Sequence, residues 1–175
     1  MHGREAGEVD MTIRYEPYTT QERIVRLFRE AIELENRREL DGAKKKLDEI
    51  LELAKDRHPE FYFEACFRMG DIFLQEDNYR GAIKCAMRAM MAAPSEELYL
   101  LGAERIKAIV MIAKENDRLD ELGENFETTL AMVKNDKELH SFLMALIGIV
   151  RGELREVPGN IKTEKLREAL RILLD

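Results

Sequence analysis

Apolar residues recur along this chain at intervals of three and four, the spacing of one side of an α-helix. Pro17 stops any helix before it, and Thr19 with Glu22 forms a T-x-x-E capping box that predicts a helix start. The stripe then runs through Ile24, Leu27, Phe28, Ala31 and Leu34, with Arg23, Arg26, Arg29 and Glu33 on the other side. Asn36-Arg37-Arg38-Glu39 breaks it, and Leu40, Ala43, Leu47, Ile50, Leu51 and Ala54 resume it up to His58-Pro59. Tyr62, Ala65, Cys66, Met69 and Phe73 form a third stripe, and Tyr79, Ala82, Ile83, Ala86 and Met90 a fourth after the Asp77-Asn78 turn. Ser95 caps a fifth helix, with Glu96 and Glu97 in the first turn favouring the helix dipole.

A sixth helix is expected to hold Leu119, Leu122, Phe126 and Leu130 after the turn at Asn116-Asp117. A seventh starts at Asn135-Asp136 and contains the apolar run Phe142–Val150. Val157-Pro158-Gly159-Asn160 reads as a loop, and Thr163 as the cap of an eighth helix carrying Leu166, Ala169, Leu170 and Leu173. The expectation is therefore all-α, about eight helices in four antiparallel pairs spanning about 19–57, 59–94, 95–134 and 136–175. Residues 1–18 are expected to be a flexible or extended N-terminal segment, with 19–175 as a single domain.

The pairs resemble one another. Residues 63–94 contain Cys66-x2-Met69-Gly70-x2-Phe73, then Ala82-x3-Ala86, then Pro94. This is similar to the tetratricopeptide pattern, whose period is about 34 residues. The preceding pair reads Leu27-x2-Glu30-Ala31-x2-Leu34, then Ala43-x3-Leu47; the following one reads Ile106-x2-Ile109-Val110-x2-Ala113, then Leu122-x3-Phe126. Ala43 to Ala82 and Tyr79 to Leu119 are steps of 39 and 40 residues, longer than the family norm. Cys66 and Ala86 are smaller than the family's aromatics, so the long side chains of Met87, Met90 or Met91 are expected to fill the space. The resemblance implies a right-handed α-α superhelix, a tetratricopeptide-like solenoid, with the fourth pair as a degenerate cap. A HEAT-like array and a plain helical bundle are the competing architectures.

Composition narrows the function. The net charge of −7 disfavours nucleic acid and anionic membrane as partners, since both need a basic surface. No apolar run is long enough to span a bilayer, and two cysteines without a spacing pattern fit free thiols in a reducing compartment. The chain reads as cytoplasmic. No nucleophile, phosphate-loop or zinc motif is present. His2, His58 and His140 are scattered, and Cys66 and Cys85 have no histidine nearby. The expectation is of no enzyme, no cofactor and no metal.

The resemblance also implies a concave groove lined by the first helix of each pair. In this register its residues are Phe28, Ile32 and Glu35, then Phe67, Asp71 and Leu74, then Lys107, Met111 and Lys114. Five of the nine are apolar, which marks either an interaction surface or core covered by the chain's own helices. Phe28 and Ile32 stand where the family's chaperone-binding members place a polar clamp for a C-terminal carboxylate. An amphipathic helix is accordingly the expected ligand. The function that follows is a protein–protein interaction module, an adaptor or assembly scaffold; the alternative is a regulatory or sensor subunit binding a small ligand or peptide. The Phe142–Val150 run with Leu173 and Leu174 is expected either to close the core of the last pair or to form a homo-oligomer contact through the C-terminal helices.

Overall fold

The computed structural model describes residues 19–175; the expected N-terminal segment 1–18 lies outside them. Among the described residues there are eight α-helices, one short 3-10 helix and no strand. The helices are α1 (Thr20–Asn36), α2 (Leu40–Ala54), α3 (Pro59–Gln75), α4 (Tyr79–Met91), α5 (Glu96–Glu115), α6 (Glu127–Val133), α7 (Lys137–Val150) and α8 (Glu164–Leu174).

Local chemistry accounts for most of these boundaries. The Thr19 hydroxyl accepts from the Glu22 amide and the Glu22 carboxylate from the Thr19 amide, so the capping box is closed in both directions. Asn78, Ser95 and Asp136 each cap α4, α5 and α7 through a side-chain oxygen that accepts from the amide three residues on. Pro59 occupies the first position of α3, where its missing N–H costs nothing.

The helix ends reveal a structural repeat. At the close of α1, α3, α5 and α7 the chain makes the same Schellman turn, with a left-handed residue at Arg38, Asp77, Asp117 and Gly152. In each, the next amide reaches back to a carbonyl in the last helical turn: Glu39 to Leu34, Asn78 to Phe73 and Arg118 to Ala113, all at 2.8 Å, and Glu153 to Gly148 at 2.7 Å. The first three turns are separated by 39 and 40 residues, matching the long period read from the sequence. Three of the four left-handed positions are not glycine, and two of these are Asp, which adopts this region more readily than most residues.

Consecutive helices pack on each other from α1 to α5. α4 joins two apolar clusters: Cys85 and Ala89 face α1–α3, while Tyr79, Ile83, Met87 and Met90 face α5 and the C-terminal helices. Met87 and Met90 are buried in the cluster that contains Ala86, Cys66 belongs to the other cluster, and Met91 is exposed.

The second half departs from the expected regular pairs. The expected sixth helix over Leu119–Leu130 is split into a 3-10 turn, Leu119–Gly123, and α6. A Cβ on Gly123 would lie 3.0 Å from Val150, and Asn125 takes a left-handed φ of 58°, so close approach to α7 and a backbone reversal interrupt the helix. α8 then packs against α5 as well as α7, filling the place beside α5. The Phe142–Val150 run, expected either to close the core of the last pair or to form an oligomer contact, is largely covered within the chain. Phe142, Leu143, Leu146 and Ile149 share a cluster with Ile161, Leu166 and Leu170, and only Met144 of the run is exposed.

Candidate interaction face

The groove positions inferred from the repeat fall on α1, α3 and α5, and a polar chain runs from one helix to the next. Glu35 on α1 lies in the electrostatic reach of Arg68 and Asp71 on α3. Asp71 pairs with Arg105 of α5 at 2.8 Å. The Arg105 guanidinium also donates to the Phe67 carbonyl at 3.3 Å and lies 4.2 Å from the centre of the Phe67 ring. Phe67 in turn stacks on Phe63 at 4.6 Å. Arg105 therefore locks α5 to α3 by three contacts, a cation–π contact among them.

This arrangement uses up part of the expected groove. Phe28 is core: it is buried, with its ring 6.0 Å from Phe61 of α3. Ile32 and Leu74 are half-buried. Glu35 is half-buried as well, and its Oε1 is enclosed with no hydrogen-bond partner among the described residues. Burial pushes this carboxyl above its usual range, Arg68 pulls it back and Asp71 adds to the rise. On α5 the expected groove is covered by α8. Lys107 Nζ pairs with Glu168 at 2.8 Å, and Lys114 Nζ donates to the Ile172 carbonyl at 2.8 Å. Met111 alone of that trio is exposed.

What remains open is the side of α5 that runs from Met111 away from Lys107 and Lys114. Leu100, Leu101, Met111 and Ile112 are 43, 47, 41 and 37% exposed, an unusual concentration for one helix. Their spacing places them with Ala108 on a single solvent-facing side, interrupted by exposed Glu97, Glu104 and Glu115. Glu104 also meets Lys165 of α8 at 3.3 Å. Sequence reasoning found the helix and, of this face, Met111 alone, because the arrival of α8 beside α5 decides which column stays free.

The other chemically conspicuous residues are closed off. Cys66 and Cys85 are buried free thiols, and desolvation pushes both up to about 12, which leaves them protonated at neutral pH. No group of three or more His, Cys, Asp or Glu among the described residues is arranged to hold a metal ion. No helix among them is long and apolar enough to cross a membrane. Comparison with family models, with curated proteins and with solved structures finds no match to the chain.

Proposed function

We propose that the chain is a protein-interaction module, an adaptor or assembly scaffold without catalytic activity, whose tetratricopeptide-like helix pairs present one face to a partner. The right-handed superhelical stacking of that family is taken to extend over the first three pairs, supported by the repeated Schellman turns. The carrying observation is the exposed apolar side of α5, Leu100, Leu101, Met111 and Ile112, on a helix that is otherwise packed by α4 and α8. An amphipathic helix laid on this face by its own apolar side fits the spacing. Glu97, Glu104 and Glu115 lie between the two apolar columns of the face and favour basic residues at matching places on that helix. The two free buried thiols support a reducing compartment, and we place the protein in the cytoplasm.

The test is a capture experiment with the immobilised chain and a lysate of its source, run in parallel with Leu101→Glu/Met111→Glu. Both side chains are already exposed, so the double variant should keep its helical circular dichroism and melting midpoint within a few degrees. Loss of a specifically captured protein from the variant alone is expected. An identical captured set from both proteins would overturn the assignment of this face.

A further inference from the structure

A separate cleft of about 740 Å³ opens on another part of the molecule, where the turn after α2, the start of α3, the second half of α4 and α6 come together. That volume is typical of small-molecule sites. Three cations, Lys55, Lys84 and Arg88, converge on it, in a chain whose 35 acidic residues outnumber its 28 basic ones. None of the three has a carboxylate within ion-pair distance among the described residues, although Asp56 also lies on the wall. Lys55 is exposed, but Lys84 and Arg88 are half-buried, and other half-buried cations of this protein are paired: Lys44 holds Glu76 at 2.9 Å, Arg105 holds Asp71 at 2.8 Å and Lys107 holds Glu168 at 2.8 Å.

Arg88 is the anchor of the cleft. It is half-buried, and its guanidinium lies 5.9 Å from the centre of the Tyr62 ring. A guanidinium carries five N–H donors in a planar fork, so this contact leaves most of them unused. Arg88 also sits in the last turn of α4, where a cation is favoured by the helix dipole. The same argument covers Lys55, the C-cap residue of α2, and leaves Lys84 unexplained. Lys84 lies one turn before Arg88 on the same side of α4, and like charges at that spacing repel unless an anion lies between them. Met91 and Met132 add apolar wall beside the Tyr62 ring.

We propose that this cleft binds a small organic anion, a phosphate or carboxylate carried on an apolar or aromatic body. The Arg88 fork would engage the anion in bidentate fashion, Lys84 and Lys55 would supply further charge, and Tyr62 with the two methionines would cover the body. This site is independent of the α5 face and survives if the partner assignment fails.

Isothermal titration of the full chain with phenyl phosphate, benzoate, inorganic phosphate and neutral benzyl alcohol tests it. Saturable binding of phenyl phosphate or benzoate is expected, tighter than for inorganic phosphate, with benzyl alcohol inert; whichever of the first two binds better identifies the anion. Arg88→Lys keeps the charge and removes the fork, and should weaken binding about tenfold, with Lys84→Gln weakening it by about threefold. A nuclear magnetic resonance titration should place the largest shifts at Tyr62, Arg88 and Met132. Absence of saturation with every anion at 10 mM, or equal affinity in both variants and the parent, would overturn the proposal. So would inorganic phosphate binding as tightly as phenyl phosphate, since the apolar wall would then contribute nothing.

Discussion

Replacing Glu138 with alanine should loosen the C-terminal third of the molecule, because one carboxylate ties three segments together there. Its Oε2 accepts from the amides of Lys162 and Thr163 at 2.6 and 2.8 Å. Its Oε1 accepts from the Thr163 hydroxyl at 2.6 Å and from the Tyr99 hydroxyl at 3.0 Å. Glu138 is in the first turn of α7, Tyr99 is on α5, and Thr163 is the residue that leads into α8. The Thr163 hydroxyl does not cap its own helix, since it is committed to Glu138. The same latch therefore holds α8 over Lys107 and Lys114 and sets how much of the α5 face stays open.

A hydrogen bond to a charged group contributes about 1.5–3 kcal/mol when dry. Glu138 is half-buried, so solvent screens it, and the amides freed by truncation regain water; a net loss of about 2–3 kcal/mol is expected for Glu138→Ala. For a chain of this size that corresponds to a fall of roughly 5–10 °C in Tm. Glu138→Gln keeps one good acceptor and should lose about 1 kcal/mol. Urea denaturation reads both values, and amide hydrogen exchange at Lys162 and Thr163 should accelerate in the alanine variant.

The pH dependence has a definite sign. Burial acts to raise the Glu138 carboxyl, but the hydrogen bonds from Thr163, Lys162 and Tyr99 prevail and hold it below 4.5. Its contribution is thus complete above about pH 4.5 and is lost as pH falls through the lower folded value. The Gln variant should lack that component of acid sensitivity. An alanine variant within 0.5 kcal/mol of the parent, or unchanged exchange at the two amides, would refute this reasoning.

Other expectations follow from close packing and from buried titratable groups. A Cβ on Gly102 would lie 2.3 Å from Met90 Cγ, inside a core where Met90 is almost fully buried. Gly102→Ala should therefore cost about 1–3 kcal/mol by overpacking, less about 1 kcal/mol of improved helix propensity, and urea denaturation that shows a stabilised variant would contradict the α4–α5 spacing. Glu35 behaves oppositely to Glu138. Its raised carboxyl makes the ionised form unfavourable above the folded value, so Glu35→Gln should gain about 0.5 kcal/mol at neutral pH after allowance for solvent screening. That gain should vanish as pH drops below the folded value, as read by denaturation midpoints across the series. Cys66 and Cys85 should react with a thiol reagent at pH 8 only as fast as the chain opens; rapid modification under native conditions would show that their burial is wrong.

Helix positions and turns were legible in the first five helices because their determinants are local. The Thr19–Glu22 box, Pro59, Asn78 and Ser95 act within one turn of themselves, and the apolar stripes repeat at the helical period. The 39- and 40-residue steps were legible too, since each unit carries its own copy of the turn. The sixth helix was misread because its apolar spacing is helical while Gly123 answers to a contact with Val150, 27 positions away. Phe28 was misplaced for a similar reason: the repeat register puts it on a groove, and Phe61 of α3 covers it.

The sequence alone therefore determined an all-helical chain, its turns, its internal period and the apolar run that had to be covered. Tertiary structure decided which helix did the covering. α8 returns to α5, held there by Glu138 at one end and by Lys107 and Lys114 along its length. That return closes one column of α5 and leaves the next exposed, and nothing in a helical period specifies which neighbour a stripe will meet. The cleft around Arg88 has the same origin. Its cations come from the end of α2 and from α4, and its walls from α3 and α6. Each looks like an ordinary surface charge or core methionine until the packed helices bring them together.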